Sequence, residues 1–267
     1  FPRVEGSYIS SAITYQSVFV TRFNSTASSI AYSALLGGSY SNECLDIAVD
    51  STGQTTVVGV TQALNMPTTP GAYDREKNGE SDGFLARLSP SGGNLSYSTY
   101  LGTGEDDACN AVCVDSTDRA VAVGFVSRGG FSTTPGALDQ AYSDGRDGFV
   151  FRLTQAGAVD LASYIGGTTS TNSYVYDDIT DVVIDQAGAI VIAGSTLGHA
   201  FPVTDGAFDE TLGEPLYPYY STYPDSFVSK LTPDGGSLQY STYFGGADDD
   251  TVSQVRVAPG GGIVIAG

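Results

Sequence analysis

A fourfold internal repeat limits the folds open to this chain more than any other feature. One short element with a central phenylalanine recurs four times, as SVFVTRF (17–23), DGFLARL (82–88), DGFVFRL (147–153) and DSFVSKL (225–231). Three further elements follow it in the same order, and a linker then opens the next copy. The equivalent opening residues are Phe1, Met66, Phe131 and Phe201. A repeat of about 65 residues predicts that one supersecondary unit is stacked several times along the chain.

The four elements of each repeat are short, rich in β-branched and aromatic residues, and bounded by Gly, Pro, Asp or Ser. These are the properties of β-strands, and no stretch shows a helical period with caps. Four short strands per repeat predict one blade of a β-propeller. We name the strands a to d from the axis outwards, with LDIAVD (45–50) as a, TTVVGV (55–60) as b, GFLARL (83–88) as c and LSYSTYL (95–101) as d.

The chain starts with strands of types c and d and stops after types a and b. This phase predicts an all-β, four-bladed propeller with four antiparallel strands per blade and a closing blade shared between the N- and C-terminal strands. Closure of that kind would remove exposed sheet edges. An excerpt from a longer repeat array would show the same phase and is the alternative. The predicted single domain spans 1–267, with repeats 1–65, 66–130, 131–200 and 201–267.

The segment DGFLARLSPSGGNLSYSTYLGTGEDDACNAVCVDS (82–116) and its copies resemble the bacterial SBBP-type β-propeller repeat family. The resemblance covers nearly the whole chain and implies a propeller in a secreted or cell-surface setting, without implying an activity. The fourth copy departs from the pattern, since Ala258-Pro259 replaces the Val-Asp that ends strand a, and the third copy carries insertions in two loops. A propeller fold by itself does not specify a function.

The charge balance excludes several classes of partner. The 11 Lys and Arg against 30 Asp and Glu give a net charge of −19, which would repel nucleic acid and anionic lipid. No apolar run is long enough for a membrane-spanning helix, so we expect no membrane insertion. The chain opens on Phe1-Pro2-Arg3, without Met, which indicates a mature or excised piece. An acidic chain of this kind suits an extracellular or cell-surface location.

One column of oxygen-bearing residues precedes strand a in every repeat. Oxygen-rich loops suit Ca²⁺, which takes six to eight oxygen ligands, so this column is a candidate calcium site. The alternative is that each side chain accepts backbone N–H bonds and shapes its own turn. The column consists of Asn42, Asp107, Asp177 and Asp250. A second column, Asp82, Asp147 and Asp225 with Ser17 in the first copy, is predicted to cap turns before strand c.

The third repeat has the longest connection between strands b and c and an extended connection from d to the next a, and both carry tyrosines. The two insertions are expected on one face of the propeller, where exposed Tyr rings would contact sugars or partner side chains. The alternative is that the rings pack over their own loops. The candidate ligand-binding residues are Tyr174, Tyr176, Tyr217, Tyr219, Tyr220 and Tyr223.

The cysteines and the histidine give little indication of a metal site or a catalytic site. Cys44 and Cys109 occupy equivalent positions in adjacent blades, so a disulfide between them is a hypothesis, whereas Cys113 is expected to be a buried apolar residue. His199 is the single histidine, and no nucleophile motif accompanies it.

The sequence therefore predicts a non-enzymatic extracellular scaffold or interaction module of an adhesin, surface layer or filament. Its partners would be other protein subunits or surface glycans, and it would require no cofactor except Ca²⁺ if the acidic loops bind it. The first alternative is a carbohydrate-binding propeller supported by Ca²⁺. The second is a glycan-cleaving enzyme, which would need only two facing carboxylates.

Overall fold

The computed structural model describes residues 2–143, 145–167, 176–213 and 223–267, which form sixteen β-strands and no helix. The predicted all-β class is confirmed. Within these residues there is accordingly no helix with the length and apolarity to cross a membrane. The strands are β1 Val18–Phe23, β2 Ile30–Leu36, β3 Asn42–Val49, β4 Thr55–Thr61, β5 Asp82–Leu88, β6 Leu95–Leu101, β7 Ala108–Val114, β8 Ala120–Val126, β9 Asp147–Leu153, β10 Val159–Ile165, β11 Asp177–Ile184, β12 Ile190–Thr196, β13 Asp225–Leu231, β14 Leu238–Phe244, β15 Gln254–Val257 and β16 Ile263–Ala266.

Twelve of the strands form three four-stranded sheets in simple sequence order: β3 to β6, β7 to β10 and β11 to β14. In each sheet the strands follow the predicted order a, b, c and d, and neighbours are antiparallel. The arrangement is propeller-like, with each complete sheet as one blade. Short polar turns join strand a to b and strand c to d, whereas a long connection leads from strand b to c, residues 62–81 in the first complete blade.

The four strands predicted for the closing blade are all present as two antiparallel hairpins, β1 with β2 and β15 with β16. Strands β1 and β2 are of types c and d, and strands β15 and β16 are of types a and b, as the sequence predicts.

The chain divides into two compact units, one of residues 1–120 and 153–158 and the other of residues 121–152 and 159–267. The core of the first unit contains Val18, Val20, Tyr32, Leu36, Val57, Met66, Phe84, Leu88 and Tyr100. A core cluster of the second unit contains Val191, Ala193, Val228, Val252 and Val255. Strand c of a complete blade is covered on both faces, since all seven residues of β5 and of β9 are buried.

The turn between strands a and b is built around an aspartate. Asp50 Oδ1 accepts hydrogen bonds from the N–H groups of Thr52 and Gln54, both at 2.9 Å. Asp115 and Asp185 close the equivalent turns in the same way. A recurring part of the acid excess therefore serves as turn structure.

A cation on strand c forms an ion pair with the aspartate of this turn in two of the complete blades. The guanidinium of Arg87 forms an ion pair with Asp50, with both side chains fully buried, and Nη1 of Arg87 donates to the carbonyl of Asp118 at 3.0 Å. In a later blade Lys230 Nζ lies 2.6 Å from Asp185 Oδ2. The equivalent Arg22 is exposed and donates to the carbonyl of Pro90 at 3.2 Å.

We predict that Arg87→Ala lowers the free energy of unfolding by about 3–5 kcal/mol, because it leaves the carboxylate of Asp50 buried without its cation. The matched control is Arg22→Ala, at the same strand position but exposed, which should cost less than about 1 kcal/mol. Urea unfolding of the two variants measures both values. Equal losses would contradict the structural role of the buried pair.

Candidate functional site

The column before strand a hydrogen-bonds the glycine turn that ends the preceding strand d. Oδ1 of Asn42 accepts from the N–H of Gly38 at 3.3 Å and from the hydroxyl of Thr61 at 2.7 Å. Its amide nitrogen donates to the carbonyls of Gln16 and Tyr40, at 2.9 and 2.6 Å. All four polar contacts lie within the protein, so the first member of the column is held by the chain itself.

The acidic members repeat this pattern at equivalent places. Asp177 accepts from the N–H of Gly167 at 2.8 Å and from the hydroxyl of Thr196. Asp107 accepts from the N–H and the hydroxyl of Thr103. Asp250, which is partly exposed, accepts from the N–H of Gly246 at 2.6 Å. Each carboxylate thus ties the start of one strand a to the preceding turn.

The second column binds the connection between strands b and c. Asp82 accepts from the N–H groups of Asn78 and Gly79, both at 2.9 Å. Asp147 accepts from Ser143 N at 2.7 Å, and Asp225 accepts from Gly213 N at 2.8 Å. These contacts agree with the turn-capping role predicted from the sequence.

The two columns meet in pairs around one glycine. A Cβ atom at Gly102 would lie 2.6 Å from Cγ of Asp82 and 2.9 Å from Oδ2 of Asp107. At Gly166 it would lie 2.9 Å from Cγ of Asp147 and 2.9 Å from Oδ2 of Asp177. Any larger residue would collide with both carboxyl groups, which explains the glycine. We call each such pair an acid pair.

The first repeat builds the same junction without charge. There Ser17 and Asn42 take the two positions, and a Cβ atom at Gly37 would lie 3.4 Å from Cβ of Ser17 and 3.0 Å from Nδ2 of Asn42. A neutral pair therefore supports the same backbone, which indicates that the hydrogen bonds, rather than the negative charges, shape the turn.

Burial raises the pKa of one member of each acid pair, Asp82 in the first and Asp177 in the second. The pKa of Asp177 is raised to about 7, mainly by desolvation, and the nearby charges of Asp147 and Asp178 raise it further. Burial likewise raises the pKa of Asp82. For Asp225, burial is the main cause of the raised pKa, and the charge of Asp250 adds to it.

The acid pairs do not by themselves form a calcium cage. Among residues 2–143, 145–167, 176–213 and 223–267, no group of three or more His, Cys, Asp or Glu side chains is arranged to hold a metal ion. Ca²⁺ needs six to eight oxygen ligands. The hydrogen bonds favour the turn-building alternative, and calcium binding by Asn42, Asp107, Asp177 and Asp250 stays a prediction.

Most of the candidate tyrosines lie outside the described residues, namely Tyr174, Tyr217, Tyr219 and Tyr220. The remaining two, Tyr176 and Tyr223, are half-buried. The carbonyl of Tyr176 accepts from the N–H of Leu197 at 3.0 Å, so the start of strand a and the beginning of the long b–c connection of the third repeat are in contact.

A polar and aromatic cluster surrounds Tyr176. The guanidinium of Arg146 lies 3.8 Å from the ring centre of Phe125, and its Nη1 is 3.0 Å from Oδ2 of Asp178. The pKa of Tyr176 is raised, chiefly by burial and then by the charges of Asp178 and Asp249. We call Phe125, Arg146, Tyr176 and Asp178 the Arg146 cluster. The equivalent junction one blade earlier holds Val60, Ser81, Asp106 and Ala108, so no repeat-wide pattern marks the cluster.

The hypothesis of a Cys44–Cys109 disulfide is wrong for this structure, because neither thiol forms a disulfide. Cys113, expected to be buried, is half-buried. Cys44 is exposed and its Sγ donates to the carbonyl of Asp46 at 3.4 Å, whereas Cys109 is buried. Burial raises the pKa of the Cys109 thiol well above its ordinary value. Partial desolvation and then the nearby charge of Asp46 raise the pKa of Cys44 to about 11, so both side chains favour the neutral thiol.

We predict that Asp177→Asn makes the protein more stable than the native chain above pH 7. A carboxyl whose pKa is raised in the fold contributes stability below its unfolded pKa of about 4, and this is lost as the pH rises through about 7. As the pH rises past 7, the free energy of unfolding of the native chain should therefore fall relative to that of the variant by about 1.4 kcal/mol for each unit by which the pKa is raised.

Urea unfolding of both proteins between pH 4 and pH 8 measures this difference. The matched control is Asn42→Asp, which places a carboxyl at the equivalent buried position and should introduce the opposite dependence on pH. If the free energies of unfolding of the native protein and of Asp177→Asn differed by the same amount at every pH in this range, the raised pKa of Asp177 would be contradicted.

Comparisons with known proteins identify no family for this chain. No family model matches the chain, and a search of curated proteins finds no match. Eight solved chains match, among them the crystal structure of a protein from Lactobacillus plantarum that was a structural genomics target. That match has 11% sequence identity and a TM-score of 0.37, and covers 98% of this chain and 80% of that chain.

Proposed function

We propose that this chain is a non-enzymatic extracellular scaffold or interaction module, part of a cell-surface adhesin, surface layer or filament. The observation that supports it most is that the repeated acidic residues bind the protein's own backbone. Asp82, Asp147 and Asp177 are fully buried and accept hydrogen bonds from neighbouring turns. Groups used in this way hold blades together instead of facing a substrate.

The charge supports a location outside the cell. A net charge of −19 keeps the surface soluble in a saline medium, where salt screens its self-repulsion. The resemblance to SBBP-type repeats points to the same location. The partners would be other protein subunits or surface glycans, and the scaffold requires no cofactor.

The surface location is tested on intact cells that produce the full-length protein. We expect an antibody against this chain to label unbroken cells, and an added protease to remove the label. Labelling that appears only after lysis would contradict the proposal. Hydrolysis of a glycan by the purified chain, abolished by Asp177→Asn without unfolding, would instead identify an enzyme.

A second candidate function is carbohydrate binding, which the Arg146 cluster favours. Sugars are bound by aromatic rings that stack on their apolar faces and by planar charged groups that bind their hydroxyls. Phe125 and Tyr176 supply rings, while Arg146 and Asp178 supply polar groups that are partly exposed. Tyr223 would extend this surface from the same b–c connection.

We predict that Arg146→Ala or Tyr176→Ala weakens binding to any glycan that the native chain retains on an array by at least about tenfold. The control is Tyr15→Ala, which removes an exposed ring in the other compact unit. Binding by both cluster variants at native strength would refute this candidate. Loss of glycan binding on chelation would favour the calcium-supported form.

A further inference from the structure

Two tripeptides of the chain match the acceptor pattern for N-linked glycosylation, in which Asn is followed by any residue except Pro and then by Ser or Thr. They are Asn24-Ser25-Thr26 and Asn94-Leu95-Ser96. Both begin in a turn between strands c and d, the first between β1 and β2 and the second between β5 and β6. The pattern by itself does not distinguish them, so we compared the surroundings of the two asparagines.

The first tripeptide lies in an exposed turn. Strand β1 ends at Phe23 and β2 begins at Ile30, so Asn24, Ser25 and Thr26 lie outside the paired strands. All three residues of the tripeptide are exposed. A transferring enzyme can therefore reach the side-chain amide of Asn24 without opening the β-sheet.

The same corner of the turn stays exposed in the complete blades. There the residues equivalent to Ser25 and Thr26 are exposed, and the residue equivalent to Asn24 is a half-buried Ser or Thr. The equivalent tripeptides are Ser89-Pro90-Ser91, Thr154-Gln155-Ala156 and Thr232-Pro233-Asp234. The stacking of one blade on another therefore leaves this corner open to solvent, and Asn24 has a longer side chain than the residues that it replaces.

The amide oxygen of Asn24 builds the turn. Oδ1 accepts hydrogen bonds from the N–H groups of Ser28 at 2.9 Å and Ser29 at 3.3 Å. In the complete blades a hydroxyl takes this role, as Oγ of Ser89 does by accepting from the N–H of Asn94 at 3.3 Å. Thr154 and Thr232 accept in the same way. The turn therefore requires an acceptor oxygen at this position, and turn building leaves the amide nitrogen of Asn24 unexplained.

The amide nitrogen of Asn24 can bond to a sugar while the turn is kept. Nδ2 donates a hydrogen bond to Oγ of Ser28 at 3.0 Å. A side-chain amide has two N–H hydrogens, and an N-linked sugar replaces one of them. The other hydrogen can keep the bond to Ser28, and Oδ1 keeps both of its bonds to the backbone. Attachment of a glycan is therefore compatible with the observed turn.

The hydroxyl that the acceptor pattern requires contacts the same amide. Oγ1 of Thr26 donates to Oδ1 of Asn24 at 3.3 Å and lies 2.8 Å from Oγ of Ser28. The asparagine and the threonine occur together in this copy of the turn, whereas no complete blade has an asparagine at the position of Asn24. Both parts of the acceptor pattern are thus brought together at one exposed corner.

The second tripeptide is held in the sheet. Ser96 belongs to β6, and its hydroxyl donates to Oε1 of Gln54 at 2.7 Å. Leu95 pairs with a residue of β5 and packs against the core of the first unit. An enzyme acting on the folded chain would have to pull the start of β6 away from the sheet to bind these residues. The structure therefore favours Asn24 over Asn94 as an acceptor.

We propose that Asn24 carries an N-linked glycan, attached to the folded chain. Nδ2 of Asn24 forms a bond to the anomeric carbon of a saccharide carried on a lipid diphosphate, and the bond between that carbon and the diphosphate breaks. The diphosphate leaves with the bonding electron pair, and Nδ2 loses one proton to a base of the transferring enzyme. This inference rests on the proposed location outside the cell, since this modification is found on surface loops of secreted proteins.

Mass spectrometry of the chain purified from the cells that produce it tests the proposal. Trypsin cleaves after Lys and Arg and so separates the two tripeptides, into the peptides 23–75 and 88–119. We expect peptide 23–75 to carry the added mass of a glycan and peptide 88–119 to have its unmodified mass. Enzymatic release of the glycan in heavy-oxygen water should convert Asn24 to a labelled aspartate, which locates the attachment.

Substitutions at Thr26 provide the matched controls. Thr26→Ala should abolish the added mass, although it leaves the bonds from Ser28 and Ser29 to Oδ1 of Asn24 in place. Thr26→Ser keeps the hydroxyl and should keep the glycan. An unmodified Asn24, a glycan that persists in Thr26→Ala, or equal modification of Asn94 would each overturn the proposal. Labelling of intact cells decides the surface-scaffold function separately, so an unmodified chain that labels intact cells would overturn the glycan alone.

Discussion

The hydrogen bonds accepted by the side chain that opens each strand a hold the blade junctions together. This side chain accepts a hydrogen bond from an N–H group of the glycine turn after the preceding strand d, as Asn42 does from Gly38 and Asp177 does from Gly167. A second carboxyl, such as Asp82, fixes the b–c connection beside the same turn. Because buried backbone N–H groups need acceptors, these contacts decide how one blade follows another.

Because many acidic side chains accept internal hydrogen bonds, part of the negative net charge lies inside the protein rather than on its surface. Part of the excess of Asp and Glu is internal and serves as hydrogen-bond acceptors in turns and junctions. The first repeat forms its junction with Ser17 and Asn42, so negative charge is not required for the geometry. Burial instead makes the charged form costly, and the raised pKa of Asp177 is the consequence.

Much of the fold could be predicted from the sequence because its signals are local and occur four times. The alternating polar and apolar residues of the strands and the Asp- and Gly-bearing turns predicted the positions of the hairpins. The column of Asn42, Asp107, Asp177 and Asp250 could be recognised by its constant spacing from strand a. The Arg146 cluster could not be found in this way. Phe125 and Asp178 lie on separate strands, Arg146 directly precedes a third, and this combination does not recur in the other repeats, so neither spacing nor repetition indicates their contacts. The Cys44–Cys109 bond failed for a related reason, since it depends on a distance between two blades that a repeat pattern does not fix.

The central claim is that the acid column is structural, and its most direct test is the unfolding of a chain carrying Asp107→Asn, Asp177→Asn and Asp250→Asn. At pH 8 we expect this variant to unfold cooperatively, to be at least as stable as the native chain, and to respond to calcium no more than the native chain does. The outcome that would contradict the account is loss of cooperative unfolding in the variant, or a calcium-dependent rise in the melting temperature of the native chain that the variant lacks.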